Sequence, residues 1–461
     1  MIFSPNPLQR GGLASRAPAG ARRSFLELAR FEAFRVGVRQ AMALPERTPT
    51  LTCPLEPLAY PAIPAPRLGS RALYPELEFD AYLAHAAISP LNLAAKTHIE
   101  QLLSDTARGG ALAFLPWSAQ RARLRALFST LWNIPAEDVA LTAGTSYGIR
   151  DLALALPLQE ADEIITFDGE FPANVSSFRL VAEQKGAKVH FLSRPDPRAA
   201  DVDAQVLEGL EQRLRAGARF IAVSAVQFQT GYAMPLRAIT ELARRFGAFV
   251  LVDAIQAAGA MPLNLTELDV DAATVGAHKW LLGIEGAGAL YIKRSFYQTL
   301  KPITLGWTSL EGGEDFLFQG KGKLSYTLPC RSSALAFEGS TPNVAGFAAL
   351  EAGLSICLAL QPGAIFQHIQ SYHDQLEPEL LALGLTSMRT RAGSGRSGLL
   401  SFDLPEGIEL SVLLRELRAR GVMASSPDGL LRFAPHFSNS LDEIPRVVEA
   451  VRRALSATPR A

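Results

Sequence analysis

Two residues of this chain could together run amine–aldehyde chemistry. Asp253 closes an apolar run, Ala248-Phe249-Val250-Leu251-Val252, and Lys279 follows in Val-Gly-Ala-His-Lys-Trp-Leu-Leu-Gly at 275–283. A lysine amine can condense with an aldehyde, and a carboxylate can keep a heterocyclic nitrogen protonated so that the ring withdraws electrons. A lone Lys is ordinarily a solvated surface charge. The pairing is what sets Lys279 apart. A carboxylate at the end of an apolar strand is costly to bury unpaired, and a cationic ring nitrogen would offset that cost. Capping the following turn is the competing role for Asp253.

Four further stretches could surround such a ring. Thr142-Ala143-Gly144-Thr145-Ser146 ends one strand and opens a helix. Small residues there let backbone N–H groups approach an anion at the positive end of the helix dipole, with the Thr145 and Ser146 hydroxyls as added donors; the plainer reading is an ordinary helix cap. Asp168-Gly169-Glu170-Phe171-Pro172-Ala173-Asn174 puts an aromatic at a strand end, either lying on a planar ring or packing in the core. Gln227, in Val226-Gln227-Phe228-Gln229-Thr230-Gly231, and Gln256, three residues after Asp253, offer amides to a phenolic oxygen or a substrate. His278 adjoins the lysine and could reach phosphate or substrate. An aldehyde, a basic ring nitrogen, a phenol and a phosphate on one ring describe pyridoxal 5'-phosphate (PLP).

These residues need a scaffold that gathers strand ends. Strand-like runs occur at Val139–Thr142, Glu163–Phe167, Lys188–Leu192, Arg219–Ser224, Ala248–Asp253, Ala272–Val275 and Ala287–Ile292. Helical segments fall between them at Tyr147–Leu156, Asn174–Lys185, Ala204–Ala216 and Leu236–Phe246, after two amphipathic helices at Thr97–Ala107 and Ala119–Trp132. The alternation predicts an α/β fold with a mostly parallel central sheet covered by helices. Ligands of such sheets sit at the carboxyl ends of the strands, where the residues above fall. After about residue 345 come long helices at Gly346–Leu360 and Ile365–Leu383. Gly398–Asp403, Ser411–Ala419, Leu430–Ala434 and Glu443–Leu455 then alternate strand and helix, an α+β pattern. The expected organisation is an N-terminal extension at 1–79, a large domain at 80–345 and a small domain at 346–461, with 80–100 contributing to the small one.

Composition narrows the function classes. Lys+Arg and Asp+Glu are equal at 45 each over 461 residues, so nothing in the overall charge favours nucleic acid or an anionic membrane. No stretch approaches the roughly 20 apolar residues of a membrane span. Cys53, Cys330 and Cys357 are scattered without metal-ligand or redox spacing, which suits a reducing compartment and predicts no metal site. The first 25 residues hold no acid but four arginines (Arg10, Arg16, Arg22, Arg23), the composition of a transit peptide or of a disordered extension; we expect the extension, and a cytoplasmic protein. Residues 44–79 are Pro-rich, as in a linker or an arm over a neighbouring surface. There is no Gly-x-x-x-x-Gly-Lys-Ser/Thr and no strand-borne Gly-x-Gly-x-x-Gly, so a nucleotide-dependent enzyme is poorly supported. A regulator on a PLP-enzyme fold would be expected to lack the lysine.

In this order, the motifs resemble the class V aminotransferase family of fold-type I PLP enzymes over roughly residues 80–455. The resemblance rests most on Asp253-Ala254-Ile255-Gln256-Ala257-Ala258-Gly259, Gly276-Ala277-His278-Lys279-Trp280 and Gly286-Ala287-Gly288. Tyr82-Leu83-Ala84-His85-Ala86-Ala87, Phe337-Glu338-Gly339-Ser340-Thr341-Pro342-Asn343 and Leu431-Arg432-Phe433-Ala434-Pro435-His436-Phe437 support it. It implies Lys279 as the Schiff-base lysine and Asp253 as the partner of the pyridine nitrogen. Gly144, Thr145, Gln256 and His278 would surround the phosphate or ring edge, and Phe171 would take the stacking position; Ser146 and Gln227, read from their own chemistry, are expected beside them. Arg432 would grip the substrate carboxylate, with His85 and Asn174 on the substrate side. Thr341 would reach the cofactor of a partner subunit, which implies a homodimer.

Departures from the family pattern shape the expected reaction. Cysteine desulfurases have His at the stacking position and a loop Cys before the arginine; here stand Phe171 and the cysteine-free Ala424-Ser425-Ser426-Pro427-Asp428-Gly429. Gly276 replaces a Ser near the phosphate, and Ser340 a Gly beside Thr341. The expectation is a PLP-dependent enzyme acting on an α-amino acid, of aminotransferase type, with C–S lyase β-elimination and epimerisation as the alternatives.

Overall fold

A computed structural model describes residues 62–458 of the chain. The Arg-rich start and residues 44–61 of the Pro-rich stretch lie outside the described residues. A two-residue strand β1 (Ala81–Tyr82) precedes helix α1 (Leu93–Gly109) and helix α2 (Gln120–Trp132). The large sheet then uses β2 (Val139–Thr142), β3 (Glu163–Phe167), β4 (Lys188–Leu192), β5 (Phe220–Ser224), β6 (Phe249–Asp253), β7 (Ala272–Gly276) and β8 (Gly288–Ile292). Their order is β2-β8-β7-β6-β5-β3-β4. All neighbours pair in parallel except β8, which runs antiparallel to both β7 and β2.

The apolar runs form a doubly covered sheet because both of their faces are buried. Along β5, Ile221 and Val223 join the core on one side, while Phe220 and Ala222 join that on the other. This is the period-2 alternation of a strand in which every position is apolar. Helix α3 (Thr145–Ala155) follows β2 and helix α4 (Ala173–Gln184) follows β3.

The apolar helix α5 (Val344–Leu360) packs against α1 and α2. Strands β9 (Thr386–Ser387), β10 (Leu400–Asp403) and β12 (Leu431–Phe433) form a three-stranded antiparallel sheet. It shares a third core with helices at Pro362–Ala382, Leu410–Ala419 and Ile444–Ala457. The chain near its start is stitched to this part. β1 pairs in parallel with β11 (Val422–Met423), and Ala84 bridges to Ala434. The described part of the Pro-rich stretch lies over its own chain: Gly69 N–H donates to the Phe437 carbonyl at 2.6 Å, and Tyr74 is buried beside Phe437.

Helix α1 starts four residues before the position its periodicity suggests. Asn92 explains the difference, because its side chain accepts from Ala95 N–H and caps a Leu-Ala-Ala-Lys first turn that carries no periodic signal. Two-residue strands such as β1, β9 and β11 are likewise too short to show alternation.

Candidate active site

Thr142, Ser224, Asp253 and Gly276 end β2, β5, β6 and β7 on one edge of the sheet. Ser224 pairs with Asp253, so β5 and β6 end level, while Asp253 pairs with Thr274 and β7 runs two residues further to Gly276.

The turn carrying Lys279 is held from several directions. Leu282 N–H donates to the Lys279 carbonyl and Gly283 N–H to the Ala277 carbonyl, both at 3.0 Å. Ser89 donates its N–H to the His278 carbonyl at 2.8 Å and its hydroxyl to the Lys279 carbonyl at 2.7 Å. The Asn92 amide donates to the Leu282 carbonyl at 2.9 Å. Leu282 itself sits at φ +59°. That left-handed conformation costs about 1–2 kcal/mol, so the surrounding bonds must impose it. Beneath the turn, α5 passes so close that a Cβ on Gly353 would stand 2.0 Å from the Leu281 carbonyl oxygen.

Lys279 Nζ stands over the Phe171 ring, 5.6 Å from its centre. Burial pushes the amine below the usual lysine range; the Asp253 charge opposes this shift and the Arg432 charge adds to it. Burial raises Asp253 well above the usual carboxylate range, Glu170 adds to the rise, and the Ile255 N–H (2.9 Å) and Lys279 work against it. Asp253 therefore occupies a site that penalises its charge unless a cation faces it. The pair matches a nucleophilic amine and an acceptor for a cationic ring nitrogen.

Thr145 and His278 converge on Gly276. A Cβ built there would lie 3.1 Å from Thr145 Oγ1 and 3.3 Å from His278 Nδ1. The Thr145 hydroxyl is buried with no partner among the described residues, at the first turn of α3. Burial lowers the His278 pKa, and Lys279 adds to the effect, leaving a neutral ring with one N–H to give. Gly144 caps α3 at φ +138°, a backbone region nearly reserved for glycine. Ser146 is exposed beside it.

The remaining expected residues divide. Both amide atoms of Gln227 are buried without a partner among the described residues, as expected of a group that meets a ligand. The Gln256 amide is instead spent within the protein: Nε2 donates to the Ala86 carbonyl at 3.1 Å and Oε1 accepts from Trp280 Nε1 at 2.9 Å. Gln256 thus joins the 81–87 segment to the lysine turn. Asn174 is buried and donates to Glu170 at 3.1 Å.

His85 is buried at 2.7 Å from the Ser89 hydroxyl. That hydroxyl already donates to the Lys279 carbonyl, so it must accept from His85 Nδ1–H. Burial and His436 push the His85 pKa well below its usual value, which keeps this ring neutral. Thr341 is exposed and lines a cavity of about 450 Å³ shared with Thr142, Ala143 and Gly286.

Arg432 lies 4% exposed. Its Nε donates to Ser425 Oγ at 3.1 Å and one terminal nitrogen to the Phe228 carbonyl at 2.5 Å. No acidic side chain among the described residues pairs with it, and burial lowers its pKa to about 10. A desolvated guanidinium without a carboxylate is a site for an incoming anion.

Several contributors carried no local signal. Ser89, Asn92 and Leu282 act through backbone carbonyls, and nothing in their sequence neighbourhood marks them. Glu170 lies in the same stretch as Phe171, but the donors to its carboxylate include Ser224, 54 residues away.

The fold and the site define a PLP-dependent enzyme. The family model for aminotransferase class V matches residues 111–434, and the chain belongs to that family. A protein of Chlamydia trachomatis named "Probable cysteine desulfurase" is 29% identical over 294 residues, covering 63% of this chain and 69% of the relative. The Bacillus subtilis "Uncharacterized aminotransferase YcbU" is 23% identical over 324 residues, covering 70% and 81%. The solved structure of a C-DES mutant with glycine covalently linked to the PLP cofactor superimposes with a TM-score of 0.75 at 22% identity, covering 83% of this chain and 99% of the other. The cysteine desulfurase CsdA from Escherichia coli gives 0.71 at 25% identity, covering 83% and 98%.

The residues present fit PLP. The unpartnered Thr145 hydroxyl, the bare face of Gly276 and the N-terminus of α3 suit a phosphate. The unpartnered Gln227 amide suits a polar ring substituent, and Asp253 a ring nitrogen. When bound, PLP supplies an electron sink for charge developing at the amino-acid α-carbon. Lys279 can bind the aldehyde and move a proton at the α-carbon, Asp253 can hold the nitrogen proton, and Arg432 can orient the carboxylate.

Proposed function

We propose that this enzyme is a C–S lyase, cleaving the Cβ–S bond of cystine or a related sulfur amino acid by β-elimination. Relatives support the sulfur substrate: the curated matches include proteins named cysteine desulfurase. A similar fold is that of a cystine C–S lyase solved in complex with its reaction product cysteine persulfide. The observation that carries the reading is the loop before Arg432. In the desulfurase pattern a loop cysteine takes up sulfur; here Ser425 occupies the loop and braces the arginine. The cysteines among the described residues lie elsewhere, Cys357 buried beneath Trp280 and Cys330 behind Tyr297. Sulfur would therefore leave on the product. Cystine plus water would give pyruvate, ammonia and cysteine persulfide.

The test is product analysis with cystine, cysteine, and alanine plus a keto-acid acceptor. Pyruvate and persulfide formed in equal amounts from cystine, and lost in Lys279→Ala, support the lyase. Amino-group transfer to the acceptor without persulfide points to the aminotransferase reaction instead.

A homodimer is part of the same reading. Thr341 is exposed, as a residue reaching a partner's cofactor would have to be, and the exposed Leu305 and Trp307, which line cavities with it, offer apolar area to bury. Light scattering should give twice the chain mass, and Thr341→Ala should weaken PLP binding; a monomer with full activity would sink this part.

A further inference from the structure

Glu170 is a buried carboxylate with no cationic partner among the described residues. Its Oε1 accepts from Ser224 N–H at 2.9 Å, and its Oε2 accepts from the Ser224 hydroxyl and from the Asn174 amide at 3.1 Å. Ser224 is the residue that pairs with Asp253 across β5 and β6. Neighbouring strands stand about 4.8 Å apart and in-register side chains leave the same face. The clamp thus fastens Glu170 to the position beside Asp253.

The arrangement has a chemical sense. The Ser224 backbone N–H can only donate, and the Ser224 hydroxyl and the Asn174 amide donate to the other oxygen when Glu170 is ionised. Burial raises the Glu170 pKa, and these donors offset only part of the rise. The charged groups facing Asp253 are Glu170, from the turn after β3, and Lys279, from the turn after β7; Arg432 faces Lys279 from β12. A negative charge beside Asp253 makes it a stronger base.

We propose that Glu170 is a positioning residue that acts through Asp253: ionised and clamped to Ser224, it strengthens the hold of Asp253 on the proton of the cofactor's ring nitrogen. The proposal rests on the PLP reading of the site. It also explains why Asn174 is spent on Glu170.

Gln fits at this position, because the Asn174 amide can turn over and the Ser224 hydroxyl can rotate to accept. The test uses holoenzyme reconstituted with PLP carrying ¹⁵N at the ring nitrogen, in wild type, Glu170→Gln and Glu170→Ala. The nitrogen chemical shift is followed against pH, alongside kcat and KM. In Glu170→Gln the ring proton should be lost at a pH lower by about one unit, with kcat down about tenfold and KM nearly unchanged. A Glu170→Gln titration identical to wild type overturns the proposal, whether because Glu170 is protonated or because it only scaffolds the Phe171 turn. If Glu170→Ala does not fold, Glu170→Gln still decides. Wild type that fails to take up PLP overturns the site reading itself, a distinct outcome.

Discussion

Lys279 places its amine 5.6 Å from the centre of the Phe171 ring, so one turn's nucleophile stands over another turn's aromatic face. Phe228 meets Phe171 edge-on at 5.4 Å and 90°, which holds that face in place. The two turns meet because β3 and β7 end on the same edge, with β5 and β6 between them.

A flat face at 171 should matter to cofactor retention. Phe171→Ala should weaken PLP binding by about 0.5–1.5 kcal/mol, the worth of an aromatic stacking contact. Phe171→His, which keeps a flat ring, should lose less. Equilibrium titration of apoprotein with PLP measures both; equal affinity in wild type and Phe171→Ala would remove Phe171 from the cofactor site.

Capture of PLP by the apoprotein should depend on pH with a depressed midpoint. The neutral amine is the attacking form, so the rate rises with pH and levels off once Lys279 is deprotonated. Burial lowers the Lys279 pKa, which puts the plateau well below the ordinary lysine value of about 10.4. Asp253 favours the protonated amine, so Asp253→Asn should move the midpoint further down. Arg432 disfavours it, so Arg432→Ala should move the midpoint up. Stopped-flow absorbance across pH reads all three, and shifts of the same sign in the two variants would contradict this electrostatic picture.

Arg432 should control substrate affinity more than turnover. Hydrogen bonds to charged groups are worth about 1.5–3 kcal/mol, so Arg432→Ala should raise KM roughly ten- to a hundredfold. Arg432→Lys should recover only part of this, since an ammonium cannot offer the planar fork. Ser425→Ala should give a smaller effect by loosening the guanidinium. Initial rates over a range of substrate concentration separate these outcomes; an unchanged KM in Arg432→Ala would place the carboxylate elsewhere.

Gly353→Ala should destabilise the protein through the lysine turn. The new methyl would collide with the Leu281 carbonyl oxygen, and overpacking of this kind costs about 1–3 kcal/mol. Calorimetry of the apoprotein should show a lower Tm, and PLP capture should slow because the turn carrying Lys279 must shift. A variant with wild-type Tm would mean that the helix yields freely.

Much of the scaffold was readable along the chain, because a parallel sheet covered on both faces writes itself as short apolar runs separated by helical periods. β3 and β4 occur where those runs fall, and β5 and β6 begin one residue later. The start of α1 was not readable, since Asn92 and a Leu-Ala-Ala-Lys first turn carry no periodicity. Among the site residues, the chain carried the types that do chemistry and the order in which they occur. It did not carry the partners of each polar group. Gln227 and Gln256 look alike in sequence, yet one amide is unpartnered and the other is consumed by Ala86 and Trp280.

The sequence by itself determined that a lysine, an aspartate, a helix start, an aromatic and an arginine would each stand at or near an element end, because hydrophobic periodicity marks where elements stop. Only the tertiary structure decided their electrical states. Lys279 loses proton affinity, Asp253 gains it, His85 stays neutral and Glu170 is fastened beside Asp253. Those states depend on burial and on charges contributed by distant strands, and strand register sets both.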